Sequence, residues 1–330
     1  MGSAKVCVLG AGIVGLNTAL LLQKEYPELR VTLIADKINE ETTSDGAAGI
    51  FRPGTSFQGP SEEITKKLPK FLSYKSTLQQ NSSTASGDKA VKENSNLWNL
   101  ISNLFIFSFF QNHFLENLVP EYREASEVEL TVNSKTWKYG AYFTTLLINS
   151  SYYLPWALKK FTKQNGILIK KSINNFQELE NNYNIIFNCC GLGAKKLCGD
   201  KKVVPIRGQV IKVGSYVLFK YFELIYGVVT LGGCRQYESY SVAVSRHDTA
   251  AILERCHELL PALKDAPILR EWVGLRPHRS EVRVEAEKIG KLLVIHNYGH
   301  GGYGVTAAPG TAKFAVDILK DISCLPSAKL

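Results

Sequence analysis

Two kinds of residue in this chain could do chemistry: glycines grouped at the ends of apolar runs, and arginines placed directly after such runs. The stretch "KVCVLGAGIVGLNTALLLQKEYPELRVTLIAD", Lys5 to Asp36, sets Gly10, Gly12 and Gly15 between a strand-like run and a helical pattern. Gly10 permits a tight turn, Gly12 lets backbone approach a pyrophosphate, and Gly15 lets the helix pack close to the strand. The helix N-terminus then offers unpaired N–H groups and its positive dipole end to phosphate. Asp36, 21 residues after Gly15, is placed to accept a ribose hydroxyl, which argues against a 2′-phosphate and so against NADP. This half of the pattern predicts a dinucleotide, NAD or FAD.

A second cluster helps to choose between them. "HNYGHGGYGVTAAPGTAKFAVDIL", His296 to Leu319, runs a strand into Gly299, Gly301, Gly302 and Gly304 and then into a helical pattern. Bare glycine backbone lets a flat ring lie close, and a helix N-terminus can face an electron-rich atom. With the N-terminal motif, this favours a flavin. Arg235, in "TLGGCRQ", follows an apolar β-type run and two glycines. Its guanidinium is always charged and presents a rigid fork of donors suited to carboxylate or phosphate.

The elements that must position these groups come from an ordinary globular composition: 330 residues, 45% apolar and 21% charged. Lys and Arg outnumber Asp and Glu by 39 to 30, but the surplus is dispersed, which suits anionic ligands and not a nucleic-acid footprint. The seven cysteines are odd in number and include no C-x-x-C, so they read as reduced, buried thiols and not as a disulfide framework or a metal site. No signal-peptide pattern opens the chain, and the apolar run Ile101 to Phe110 is too short to span a bilayer; it reads as core or as a poorly formed segment. The final Ala-Lys-Leu differs by one small residue from the Ser-Lys-Leu address, so a peroxisomal import receptor is an expected partner and the peroxisomal matrix the expected location.

Nine blocks occur in order: "GAGIVGL", "TTSDGAAGIFRPG", "FTTLL", "YLPWA", "FNCCGLGAKKL", "VPIRGQV", "VTLGGCRQ", "VGLRPHRS" and "VIHNYGHGGYGVT". Together they resemble the D-amino-acid oxidase family, in particular its D-aspartate oxidase branch, over residues 1–62 and 113–330. The resemblance implies an α/β fold in which a Rossmann-like FAD-binding domain (1–50, 145–203 and 285–330) is interleaved with a mixed α+β substrate domain (51–144 and 204–284). It also implies FAD as cofactor and oxidative deamination of a D-amino acid to a 2-oxo acid, ammonia and hydrogen peroxide. Gly12, Val14, Asp36 and Lys37 resemble positions around the adenosine half of FAD. Thr43, Ser44, Ala48, Gly49 and Ile50 resemble those along its pyrophosphate and ring. Ile173 and Cys190 fall where the family packs FAD from mid-chain, and Gly301, Gly302, Tyr303, Gly304 and Thr306 match the ring-proximal turn. A peroxide-forming oxidase also belongs beside catalase, which agrees with the tail.

Hydride loss from an amine's α-carbon needs geometry more than a base, provided the amine enters neutral. No general-base side chain is expected, and His278, His296 and His300 read as structural. Arg276, in "GLRPHRS", resembles the arginine that clamps the substrate α-carboxylate, with Pro277 stiffening its backbone. Arg235 stands where the acidic-substrate branch carries an arginine; buried, it would need a second carboxylate, which predicts D-aspartate and perhaps D-glutamate. Arg52 supplements it or sits in solvent. Arg207, in "PIRGQ", reads as a sheet-packing or FAD-side residue.

Two departures stand out. Residues 73–98 are Ser-, Asn- and Lys-rich and read as loop or disorder. The segment 214–227, "GSYVLFKYFELIYG", is shorter than the family pattern, which supplies a substrate-binding tyrosine there; Tyr226 or Tyr221 could substitute. The alternatives left open are an oxidase of neutral D-amino acids, an oxidase of glycine-like or N-methyl substrates, an FAD-binding protein with impaired catalysis, and an NAD-dependent dehydrogenase.

Overall fold

The computed structural model describes residues 5–51, 98–106, 119, 121–132, 135–214 and 228–323. The first apolar run forms β1 (Val6–Leu9), buried at every position, and the glycine turn delivers the chain into α1 (Ile13–Glu25) and then β2 (Val31–Ala35). Further along lie β3 (Trp98–Ile106), β4 (Glu121–Glu124), β5 (Thr131–Val132), β6 (Lys135–Thr136) and β7 (Ala141–Ile148). These are followed by α2 (Ser150–Lys163), β8 (Ile167–Lys170), β9 (Ile185–Asn188), α3 (Ala194–Leu197), β10 (Val204–Gly214), β11 (Val228–Gly232) and β12 (Gln236–Tyr237). The remaining elements are α4 (Arg246–Leu259), β13 (Ile268–Ile289), β14 (Leu292–His300) and α5 (Gly304–Ser323).

One nine-stranded sheet runs in the order β11-β10-β13-β14-β9-β1-β2-β8, with β12 paired to β10. The run from β14 to β8 is parallel, and the run from β11 to β14 is antiparallel. The parallel strands read as continuous apolar runs because helices cover them, as buried parallel sheets require. α1 packs against both α5 and α2. Gln23 fixes one of these contacts: its Nε2 donates to Phe161 O and Gln164 O at the end of α2, at 3.0 and 2.9 Å.

β13 is 22 residues long and joins the two regimes, pairing with β10 in its first half and with β14 in its second. The sequence boundary at 284/285 therefore falls inside a single strand. A second sheet, β3-β7-β4, is antiparallel. Its β3 occupies Trp98–Ile106, so the apolar run that begins at Ile101 is a strand through Ile106 and Trp98 is not loop; cross-strand pairing with β7 supplies the order that sequence periodicity does not show. Residues 73–97, 107–110, Arg52, Tyr221, Tyr226 and Ala328 to Leu330 lie outside the described residues. No helix among the described residues is long and apolar enough to cross a membrane.

The glycine turn has no slack. Gly10 has φ +97°, and a Cβ there would lie 2.6 Å from Cys189 O. A Cβ at Gly15 would run into the carbonyl of Gly10. Gly15→Ala is therefore expected to cost about 1–3 kcal/mol in urea unfolding, the usual range for overpacking. An unchanged midpoint would show that α1 can shift away from β1.

Candidate active site

The residues matched to FAD gather just past the C-terminal ends of the parallel strands. Gly10 and Gly12 follow β1, Asp36 and Lys37 follow β2, Ile173 follows β8, Cys190 follows β9, and Gly301 to Gly304 follow β14. Ligands of open α/β sheets bind at that edge. Asp36 and Lys37 are exposed there; Ile173 and Cys190 are half-buried and pack against the cluster that contains Leu9, Ile34 and Ile186.

Gly12 caps α1 without any side-chain bond, and the first turn carries no acidic residue, so the helix end keeps its capacity for an anion. Ser44 joins this end: its Oγ accepts from Ile13 N at 3.0 Å, and a Cβ on Gly12 would come within 3.2 Å of it. Val14 lies half-buried in the same turn.

The segment that carries Thr43 to Ile50 is tied down along its length. Thr43 Oγ1 donates to Leu275 O at 3.4 Å, and Asp45 pairs with Arg270 at 3.3 Å. A Cβ on Gly46 would strike the Trp272 ring. Gly49, at φ +77°, accepts from Ile148 N at 2.8 Å, while Ala48 stays exposed. Ile50 O accepts from Thr306 Oγ1 at 3.2 Å, which brings together two residues far apart in the chain that the resemblance assigns to one cofactor.

The arginine assigned to the substrate carboxylate projects from β13 onto this side of the sheet. Arg276 lies opposite Ile206 of β10, and its guanidinium covers Gly208, where any Cβ would collide with it. A Cβ on Gly302 would lie 3.5 Å from Arg276 Cδ, so the ring-proximal turn borders the same guanidinium. Arg276 Nη1 donates to Cys234 O at 3.2 Å. Burial pulls the Arg276 guanidinium below the ordinary arginine value; the neighbouring Arg235 charge adds to this and Cys234 opposes it. Among the described residues, no carboxylate pairs with Arg276 or with Arg235.

Arg235 is exposed, not buried as its pocket role presumed, because the chain after the edge strand β11 runs out over the surface. Its Nη2 donates to Tyr237 Oη at 3.3 Å. Tyr237 pairs with Ile206 and so lies on the same face as Arg276, with the His278 ring set edge-on against it at 5.7 Å. Burial, then the Arg235 charge, lower the His278 pKa. Sequence reasoning passed over Tyr237 and read His278 as structural only. For His278 the available signal was its i, i+2 spacing from Arg276, which puts both side chains on one face of β13.

Arg207 serves packing, as expected, and not the substrate. It is 2% exposed and pairs with Asp248 at 2.8 Å on the opposite side of the sheet, against α4. His300 is buried with Nε2 2.9 Å from Thr311 Oγ1, which occupies it structurally. No group of His, Cys, Asp and Glu among the described residues could hold a metal ion, and the six described cysteines are free thiols.

A parallel sheet with a glycine-opened helix end, a second glycine turn at its C-terminal edge and an arginine beside that turn define an FAD-dependent oxidoreductase. The residues present fit FAD: Gly12, Ser44 and the α1 N-terminus for its pyrophosphate, and Gly301 to Gly304 for close approach of its ring. Residues 5–318 match the family described as FAD dependent oxidoreductase (DAO), and the chain belongs to it. It is 34% identical to a D-aspartate oxidase of Homo sapiens, covering 97% of this chain and 96% of that one. A D-amino acid oxidase of Dugesia ryukyuensis is 31% identical, over 98% and 99% of the two chains. The glycine oxidase structure from Geobacillus kaustophilus superposes with a TM-score of 0.78 at 13% identity, over 97% and 95% of the two chains, and shares the fold. The chain is an FAD-dependent oxidase.

Burial holds the His300 pKa down, from 6.5 to about 4. The unfolded chain therefore binds the extra proton first as pH falls, and stability present above pH 6.5 is lost progressively toward pH 4. His300→Asn is expected to remove about 3 kcal/mol of that loss in urea titrations across this range. His278 and His296, also held below the ordinary value, keep part of the slope. An identical pH profile in the variant would remove His300 as its source.

Proposed function

We propose that this FAD-dependent oxidase deaminates acidic D-amino acids, D-aspartate first and D-glutamate second, to the 2-oxo acid, ammonia and hydrogen peroxide. The observation that carries this reading is a pair of neighbouring arginines, Arg276 and Arg235, with no carboxylate paired to either among the described residues. A half-buried guanidinium that is already drawn below its usual pKa gains most from an incoming carboxylate. Arg276 is suited to the α-carboxylate because the bare backbone of Gly208 lets its fork lie flat against β10, beside the Gly302 turn. Arg235, free at the surface apart from Tyr237, is suited to the side-chain carboxylate.

FAD, when bound, accepts the hydride and passes the electrons to oxygen. The protein's own part is orientation. Two clamps on two carboxylates fix the α-carbon between them, and fixed placement supplies much of the rate. An amine that enters neutral needs no base, and His300, buried and bonded to Thr311, is not available as one. The D-aspartate oxidase of Homo sapiens supports this substrate class, and the D-amino acid oxidase of Dugesia ryukyuensis supports D-amino acids more broadly. Peroxide release also suits a catalase-containing compartment, so a peroxisomal location belongs to the same proposal.

A second reading, an oxidase of neutral D-amino acids, is favoured by the exposure of Arg235. Peroxide release separates the two. Arg276→Leu should lower kcat/KM on every D-amino acid by about a thousandfold or more, and near-normal turnover would remove it from the carboxylate site. Arg235→Phe should lower kcat/KM for D-aspartate by about a hundredfold while sparing D-alanine. Unchanged D-aspartate kinetics in that variant would leave the neutral-substrate reading standing. A yellow, FAD-loaded wild type that forms no peroxide from any D-amino acid would overturn both.

A further inference from the structure

We propose that Arg207, acting through Gln236 and Asp248, is a positioning residue that fixes where Arg235 presents its guanidinium. Selectivity for the second carboxylate would then be set on the face of the sheet opposite the site. This rests on the reading of Arg235 as a carboxylate ligand.

Arg207 is almost fully enclosed, and each of its nitrogens is in use. Nε donates to Ser241 O at 3.0 Å, and Nη2 donates to Gln209 Oε1 at 3.0 Å and Ala243 O at 2.7 Å. Nη1 donates to Gln236 Oε1 and Asp248 Oδ2, both at 2.8 Å. Gln236 closes a ring by donating from Nε2 to Asp248 at 3.2 and 3.3 Å. The residue just after Arg235 is thus held by both members of a buried ion pair.

The residue just before Arg235 is held as well. Cys234 Sγ accepts from Gln209 N at 3.2 Å and lies 3.6 Å from Arg207 Nη1, while Cys234 O accepts from Arg276 Nη1 at 3.2 Å. Both chain neighbours of Arg235 are therefore anchored to buried groups. Among the described residues its own side chain bonds Tyr237 Oη alone. The backbone is fixed and the head group is free, which is the arrangement that reduces the ordering a ligand must impose. Cys234 also links the arginines directly: its carbonyl takes Arg276 and its thiol lies beside Arg207. A shift of the Arg207 network would move Arg235 relative to Arg276, and so change the span between the two carboxylate sites.

Gln236→Leu tests this most cleanly, because it leaves the Arg207–Asp248 pair in place. The FAD-loaded wild type and variant would be compared for kcat/KM on D-aspartate and D-alanine. Binding of succinate and propionate would be read from the flavin absorbance. We expect the D-aspartate to D-alanine ratio to fall about tenfold, mainly through KM, with succinate weakened about as much and propionate unmoved. Equal losses on both substrates, or an unchanged ratio, would overturn the proposal. Asp248→Asn gives a second arm: a lowered ratio supports positioning, while lost stability with the ratio intact would make the network structural only. A wild type with no preference for D-aspartate would instead overturn the substrate reading, and this proposal with it.

Discussion

The antiparallel pairing of β10 with β13 is the constraint on which the site depends. Its register sets Ile206 opposite Arg276 and Gly208 opposite Gly274. Neighbouring side chains on a strand point to opposite faces, so this one register sends Arg276 to the ligand side and Arg207 into the packing against α4. A slip of one residue would turn Arg276 away from the ligand side and onto the same face as Arg207. The bare backbone at Gly208 and Gly274 then makes room for two large groups, the Arg276 guanidinium and the Trp272 ring. Trp272 in turn reaches Gly46, so the same pairing holds the segment that carries Thr43 to Ile50 against the sheet.

The two arginines show how environment assigns roles to one residue type. Arg207 is buried and its carboxylate on Asp248 is largely covered, and carbonyl and amide groups satisfy the remaining donors. A buried pair of this kind is costly to break, because either partner alone is left as an unpaired charge. Arg276 has a carbonyl and no carboxylate among the described residues, and burial lowers its pKa. The first arrangement is complete without a ligand. The second leaves a half-buried guanidinium without a carboxylate among the described residues.

Much of the nucleotide half was legible in the sequence because its constraints are local. Gly10, Gly12 and Gly15 are demanded by a turn, an open helix end and a helix–strand contact, all within a few residues of one another. Strand-to-glycine transitions at Leu9 and His300 likewise announce themselves. The strand at Trp98–Ile106 did not, since its order comes from pairing with β7 across a long stretch of chain. Tyr237 was passed over for the same reason, and His278, inside the block around Arg276, was read only as structural: the contact between the two comes from β12 and β13 pairing.

The sequence by itself determined the cofactor class, the helix end that receives it and the arginines worth watching, because glycine spacing and fixed charge are local properties of the chain. Tertiary structure decided which arginine is structural and which is free, that Arg235 is exposed, and that Cys234 and Gln236 tie it to a buried ion pair. Burial and strand register settle such matters, and both depend on residues that are distant in sequence. A charge reads the same in the sequence whether water or a carboxylate surrounds it; the sheet pairing assigns its surroundings.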